Sequence, residues 1–365
     1  MASNTDAAAA AQTASRLRSS LVAQAQQPKL TTTIAPDLHP DDSGDDSSVR
    51  GESIASSSTS VADSVLQYRL ENGRTYHKYK DGKYSIPNGE QERERLDVQH
   101  NMFLLSFDNQ LGTAPPNKKD SGVEVKRVLD VGTGTGIWAI EFGDEYPETE
   151  VLGVDLSAIQ PVSTPPNVKF EIDDVEEPWT FSQSFDYIHS RLMTACIGDW
   201  KQYIQKCFDN LNPNGYLELN EVDLYGKSDD GTLADDGAIH KFSKLWGEAA
   251  VKFGHPFQDN STLKDLMTEA GFVDIKVQLF KWPTNPWPRD AKHKELGYWN
   301  LDNTIAGLEG FMLGPLTRAH DWSKDEVTVF AMEVRNEMKN PRIHAYQTIW
   351  SVYGRKPAAE EVAAN

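Results

Sequence analysis

Cysteine is nearly missing from this chain of 365 residues: Cys196 and Cys207 are the two it has. Two thiols cannot make a disulfide framework, which favours a reducing compartment. Long apolar runs are missing too, and none approaches the roughly 18 residues that a membrane span requires. No charged-then-apolar stretch opens the chain as a signal peptide would; Arg16 and Arg18 in an alanine-rich segment hint at a transit peptide, against Asp6 upstream. Positive charge is scarce, with 36 Lys and Arg against 55 Asp and Glu, a formal net charge of −19. That balance argues against direct nucleic-acid binding through net charge. Residues 1–64 contain no aromatic side chain and consist largely of Ala, Ser, Thr, Gln and Asp. Such a segment cannot bury enough apolar surface to offset ordering, so a disordered tail is expected there. Internal repeats are absent as well. A soluble protein of the cytoplasm or the nucleus is the reading that these absences leave.

What is present is an apolar strand that runs straight into alternating glycines, Val128-Leu-Asp-Val-Gly-Thr-Gly-Thr-Gly-Ile-Trp138. Gly132, Gly134 and Gly136 allow a sharp turn and a close approach to a ligand, and a helix starting at Ile137 would aim free N–H groups at the ligand's negative end. A dinucleotide fingerprint needs a third glycine where Ile137 stands, which speaks against a nucleotide-binding oxidoreductase. The G-x-G-x-G form, with Asp130 two residues ahead and Thr133 inside the turn, resembles motif I of class I S-adenosylmethionine (SAM) methyltransferases. The resemblance implies that this loop receives the methionine part of the cofactor.

The next helix is read from Ile137, Ile140, Glu141 and Tyr146, and it leads to Val151–Asp155 at the distance a βαβ unit requires. A carboxylate at that strand tip can accept from both ribose hydroxyls, which makes Asp155 the expected affinity anchor. A third apolar run, Val168–Ile172, ends in Asp173-Asp174-Val175-Glu176-Glu177. It is similar to the family's adenine-binding turn, which implies that Asp174 and Val175 hold the adenine, with Asp173 as second choice; a solvated acidic loop is the alternative. A fourth strand, Phe185–Ile188, leads into His189, Ser190 and Arg191, which should border the reactive methyl, since ligands lie beyond the carboxyl ends of such strands. Trp200, Tyr203, Ile204, Cys207, Phe208 and Leu211 form one buried stripe, so Cys207 is core. The turn Asn212–Gly215 and the strand Tyr216–Glu221 complete the half at 126–222 that holds the cofactor.

Further on, helices are expected near Ala238–Phe253 and Thr262–Ala270, with Gly271 as the cap of the second. Val273–Phe280 alternates as a sixth strand, Ser323 and Glu326 form a capping box for a helix to about Met338, and Ile343–Tyr353 suits a seventh strand. Between strands six and seven lies an aromatic, proline-rich insertion at 281–322 containing Trp282, Trp287, Trp299, Phe311 and Trp322. Connections this long are usually functional, so a substrate cover is expected, with a dimer contact or plain packing as alternatives.

Order resumes at Leu66, with a cap at 65–120 whose helix, about Glu90–Leu111, carries Leu96, His100, Phe103 and Phe107 on one face. The runs E-x-G-R-x-Y-H-x-Y from Glu71, Y-x-I-P-N from Tyr84 and E-x-x-R-L-D-x-x-H from Glu92 resemble the N-terminal signature of the fungal LaeA-like methyltransferases. Asn285-Pro-Trp-Pro288, Lys294-Glu-Leu-Gly297 and His344-Ala-Tyr346 are similar to that group too. One departure is Asn214, where many relatives carry glycine, and a turn tolerates Asn in left-handed geometry. The resemblance covers about Leu66 to Pro357. It implies an α/β fold of the class I, Rossmann-like type: a seven-stranded sheet with helices on both faces, spanning 65–358. It also implies a SAM-dependent enzyme that methylates a small secondary metabolite in a fungus, or a regulator of metabolite gene clusters that acts through protein partners. Methyl transfer from a sulfonium is an in-line displacement that needs no metal and sometimes a base. His189 is the first candidate and His100 the second, because a histidine pKa lies near working pH. Tyr187 and Arg191 could orient substrate, and Glu221 could do so or sit beside the cofactor.

Overall fold

Short runs buried on both faces build the centre of the sheet. β3 (Arg127–Val131), β4 (Glu150–Asp155), β5 (Val168–Ile172) and β6 (Phe185–Arg191) are parallel neighbours, as is β7 (Leu211–Val222) beside β6. β8 (Val273–Pro283) and β9 (Tyr346–Arg355) complete seven strands in the order β5-β4-β3-β6-β7-β9-β8, with β9 antiparallel to both its neighbours. These features come from a computed structural model that describes residues 68–80 and 83–363. The expected tail at 1–64 lies outside the described residues. No described helix is long and apolar enough to cross a membrane.

The strand order reverses at β3, whose two partners are β4 and β6. The crossover leaving β3 runs to β4 on one side and the crossover leaving β6 runs to β7 on the other, and their divergence opens a crevice at the carboxyl ends of the strands. The helix after β3, α2 (Ile137–Glu145), starts from Gly136 in left-handed geometry with φ 79°. A Cβ on Gly136 would stand 2.4 Å from the Phe170 ring, so this glycine serves the close packing of α2 against β5 as well as the turn. The buried face of α2 is Trp138, Ala139, Phe142 and Gly143, not the face of Ile137, Ile140 and Tyr146 taken from the spacing. Trp138 and Phe142 stack at 5.0 Å and fill the space under β3 and β6.

Two boundaries differ from the sequence expectation for a shared reason. β6 continues past Ile188 to Arg191, and β7 begins at Leu211, so the Asn212–Gly215 turn becomes an irregularity within the strand. Pairing supplies the hydrogen bonds that local turn signals would otherwise have claimed. Asn214 holds φ 68°, donates its backbone N–H to Lys356 O, and so tolerates the left-handed position. α3 (Trp200–Asp209) buries Trp200, Tyr203, Ile204 and Cys207 as the stripe predicts. α4 (Ala238–Lys252), α5 (Leu263–Ala270) with Gly271 at φ 102°, and α7 (Lys324–Met338) with its Ser323/Glu326 capping box also fall where expected.

The segment at 281–322 is chiefly one helix of 29 residues, α6 (Ala291–Ala319). Its Leu308, Met312 and Leu316 share a core with Phe242 of α4 and Val327, Phe330 and Val334 of α7. Its other side receives the N-terminal segment. A Cβ on Gly314 would lie 2.6 Å from Ser85 O, and one on Gly307 would lie 2.7 Å from Arg95 Cδ, so small residues let that segment lie close against α6. The segment begins with the hairpin of β1 (Tyr68–Glu71) and β2 (Arg74–His77), tied to α6 by Arg318, which donates twice to Glu71 at 3.1 and 2.6 Å. α1 (Glu90–Ser106) follows and stops short of Leu111, because Asp108 and Asn109 take left-handed φ of 55° and 62°.

One buried carboxylate fastens what comes after α1 to the sheet. Glu218 of β7 has no solvent exposure and accepts from Thr113 N (2.7 Å), Ala114 N (3.1 Å), Asn117 Nδ2 (2.9 Å) and the Tyr187 hydroxyl (2.7 Å). Removing it would leave those donors buried and unmet, at roughly 1–3 kcal/mol for each that finds no water. Glu218→Ala is therefore expected to lower the urea-unfolding free energy by about 3 kcal/mol or more, whereas Glu218→Gln, which keeps an acceptor oxygen, should lose less. Equal stability of the two variants and the parent would show that the segment is held by something else.

Candidate functional site

A cavity of about 270 Å³ opens at the carboxyl ends of β3, β4 and β6 and continues under α1, α4 and α6. Its floor is the loop between β3 and α2. Gly132 N and Thr133 N donate to Val154 O at 2.9 and 3.1 Å, and Gly134 N donates to Asp155 Oδ2 at 2.9 Å. Asp155 Oδ1 accepts from Ser157 N at 2.8 Å. The β4 tip thus holds the glycine loop through backbone N–H groups. Burial pushes the Asp155 carboxyl up to about 6, against the pull of these hydrogen bonds.

The loop after β5 forms one end of the cavity. Asp173 and Val175 line it, as does Asp174, although Asp174 is only 3% exposed. Both oxygens of Asp174 are engaged: one accepts from Glu176 N at 3.0 Å, and the other from Lys83 Nζ, which also reaches Glu176 Oε2 at 3.0 Å. Lys206 donates to the carbonyls of Glu176 and Glu177, and Glu176 accepts from Gly198 N at 2.7 Å and pairs with His255 at 2.9 Å. The acidic run is therefore a braced loop. Lys83 begins a stretch, Lys83 to Asn88, that lies along the cavity, and nothing in local spacing marks Lys83 as a partner of an acid 91 residues away.

At the end of β6 the expected residues divide. Arg191 lines the cavity; its guanidinium donates to His100 Nδ1 at 3.2 Å and lies 4.8 Å over the Phe103 ring. Burial lowers its pKa to about 10, which leaves it charged at neutral pH. The loop that follows takes left-handed geometry at Leu192 (φ 57°) and Ala195 (φ 63°). Glu221 stabilises it by accepting from Met193 N and Thr194 N, both at 2.9 Å. Glu221 is wholly buried, and burial raises its carboxyl to about 8.

The structure gathers Gly132, Thr133, Gly134, Asp155, the Asp173–Val175 loop and Arg191 around one cavity. It sets others behind the wall. Asp130 accepts from Thr133 Oγ1 at 2.5 Å and bonds His189 Nδ1 at 2.8 Å, while Gly136 packs on Phe170. Ser190 is fully buried, its hydroxyl without a hydrogen-bond partner. None of the three residues considered for proton transfer or substrate orientation as His189, His100 and Tyr187 lines the cavity. His189 stacks on Trp138 at 3.8 Å and 5°, because the extra length of β6 turns its side chain into the sheet's packing. Tyr187 donates to Glu218, and burial holds its hydroxyl well above the ordinary range. His100 bridges Arg191 and Glu141 Oε2, with burial lowering its pKa. The sequence reading missed the far wall, formed by Phe242 and Trp246 of α4 facing Phe311 of α6; the apolar face of α4 was legible, but not what it would face.

A sheet ordered in this way, with a glycine loop and two acidic strand tips at one crevice, defines the class I methyltransferase fold. A family profile described as "Methyltransferase domain" matches residues 98–277. Methyltransferase pytC of Aspergillus terreus is 37% identical over 303 residues, 83% of this chain and 92% of that protein. Secondary metabolism regulator LAE1 of Cochliobolus heterostrophus is 37% identical over 293 residues, 79% of this chain and 94% of that one. Protein-methionine methyltransferase laeA of Emericella nidulans is 34% identical over 295 residues, 80% and 77% of the respective chains. The chain belongs to this LaeA-like family of fungal methyltransferases of secondary metabolism.

Glu221 gives the site a measurable signature. A carboxyl raised from its ordinary value to about 8 favours the protonated form in the fold, so its stabilisation is complete below the ordinary carboxylate range and is lost as pH rises through about 8. Glu221→Gln should remove this slope. Between the carboxylate range and that pH, the parent is expected to lose on the order of a few kcal/mol relative to the variant in urea unfolding. Parallel profiles would mean that Glu221 does not titrate there.

Proposed function

We propose that the chain transfers the methyl group of S-adenosylmethionine to a small-molecule acceptor. The observation that carries this reading is the continuity of one cavity from the glycine loop and Asp155 to an enclosed chamber beneath α4 and α6. The residues fit the cofactor's parts in order. Arg191 has five donors and gives one to His100, which leaves N–H groups for the methionine carboxylate above Gly132, Thr133 and Gly134. Asp155, Asp173, Asp174 and Val175 all line the cavity, which supports reading Asp155 as the acceptor for the ribose hydroxyls and the Asp173–Val175 loop as the adenine end. Because Lys83 and Glu176 N occupy both oxygens of Asp174, the adenine amino group would share that carboxylate or turn to Asp173.

The cofactor, when bound, supplies a methyl on a sulfonium that leaves by in-line displacement. The protein's part is to fix donor and acceptor in line and exclude water, and such positioning can supply roughly 7–11 kcal/mol of the barrier. Among the described residues no histidine lines the cavity. An acceptor already nucleophilic at neutral pH, such as an uncharged amine, suits this arrangement. A second reading, regulation of metabolite genes through protein partners in the nucleus, is favoured by the names of the relatives, one a regulator and one a protein-methionine methyltransferase. Turnover of labelled SAM with cell extract, separated into small-molecule and protein fractions, discriminates the two by where the label appears.

Asp155→Ala should weaken SAM binding at least about tenfold in a folded protein, as expected for loss of charge-assisted bonds of about 1.5–3 kcal/mol each. For the parent, affinity should fall as pH drops through about 6 and approach that of the variant, since the protonated carboxyl accepts less well. Calorimetry reads both, and unchanged affinity would remove Asp155 from the ribose site. His189→Gln should keep turnover within a few-fold of the parent. A loss of about 10²–10⁴-fold with intact SAM binding would instead make His189 the base.

A further inference from the structure

The chamber beyond the glycine loop is lined by two unlike groups that meet at Phe311. In one, Phe242, Trp246 and Phe311 stand in series: Phe242 and Trp246 have centroids 5.9 Å apart and planes 7° from parallel, and Trp246 and Phe311 are 5.7 Å apart at 21°. All three border the cavity, and Phe257 meets Trp246 edge-on at 5.3 Å and 83° from outside the lining. The three rings come from two helices that are distant in sequence, so their shared orientation is a product of the fold.

The other group is one charged pair, closed on itself. Glu92 and Arg95 of α1 are 7% and 5% exposed, and both border the cavity. Arg95 Nε and Nη2 donate to the two Glu92 oxygens at 2.9 and 2.7 Å, and Nη1 donates to Asn303 Oδ1 at 2.7 Å. A guanidinium has five N–H donors, so two remain after these three bonds. Its plane is set by Phe311, over which the Arg95 Cζ lies at 5.0 Å. Glu92 neutralises Arg95, so a charged acceptor would find no opposite charge here, and a buried unpaired charge is heavily penalised. A carbonyl or hydroxyl oxygen, by contrast, meets ready N–H donors.

We propose that the acceptor is a flat, uncharged aromatic or conjugated ring compound whose edge carries a carbonyl or hydroxyl oxygen, with Phe242, Trp246 and Phe311 receiving the ring and Arg95 reading the oxygen. This rests on the chamber being the acceptor end of the methyltransferase site. Aromatic contacts favour a π-face over a saturated ring of the same outline. The guanidinium favours a ring that bears an oxygen acceptor over one that lacks it, because an N–H left without a partner is penalised.

Three probes separate the two features: 1-indanone, hexahydro-1-indanone with the same carbonyl on a saturated frame, and indane with the same ring and no oxygen. Each is titrated by calorimetry into the full chain, with and without S-adenosylhomocysteine, whose own binding is measured first. The expected result is that 1-indanone binds at least about fivefold more tightly than either of the others. Trp246→Leu should erase its advantage over the saturated ketone and keep that over indane; Arg95→Lys, which preserves the charge without the fork, should do the reverse. The comparison among probes on the parent stands even where a variant fails to fold. Equal binding of the three, a preference for the saturated ketone, or no binding of any at millimolar concentration would overturn the proposal. Failure of S-adenosylhomocysteine to bind while the probes keep their order would count against the cofactor reading and leave the chamber's specificity supported.

Discussion

Three acidic side chains, the half-buried Asp155 and the fully buried Glu218 and Glu221, accept backbone N–H groups and hold the loops that shape this cavity. Asp155 at the tip of β4 binds Gly134 N and Ser157 N, Glu221 at the end of β7 binds Met193 N and Thr194 N, and Glu218 binds Thr113 N and Ala114 N. A loop beside a buried crevice has N–H groups that neither water nor a ladder can satisfy, and an acid on the adjoining strand is the acceptor that removes the penalty. Such bonds constrain the loop more tightly than apolar contact does, because they fix direction as well as distance. For Glu221 burial prevails over two hydrogen bonds and raises the carboxyl to about 8.

The same logic explains why the N-terminal segment belongs to the site. Glu218 fixes residues 113–117, α1 brings Arg95 to the cavity and His100 against Arg191 behind its wall, and Lys83 pairs with Asp174 and Glu176. α6 completes the enclosure, and its glycines at 307 and 314 let the N-terminal segment lie against it. Site and enclosure are thus built from four stretches far apart in the chain, each anchored to a strand end or to α6.

Much of the fold was legible because it is written in short-range signals. The apolar runs ending at Val131, Asp155 and Ile172, the left-handed Gly271 after α5 and the Ser323/Glu326 capping box all depend on residues within a few positions of one another. The glycine loop was legible for the same reason. His189 shows where this reasoning stopped: beyond Ile188 the chain could have left the sheet or stayed in it, and the partner that decides, Asp130 with Asn220 alongside, is supplied by other strands. Once β6 extends, the imidazole stacks on Trp138, and a residue read as a candidate base stands in the core.

By itself the sequence determined the glycine turn, the acid at each strand tip, the identity of most elements and the family, since each is carried by neighbouring residues whose chemistry acts locally. Tertiary structure alone decided which of those residues reach the cavity, that Lys83 and Glu176 N take up Asp174, and that Phe242, Trp246 and Phe311 align with Arg95 over the last of them. The reason is physical: a side chain's reach and burial depend on what packs over it, and here the covering helices are α1, α4 and α6, the first separated from the others by about 130 residues or more, a distance over which no local propensity acts.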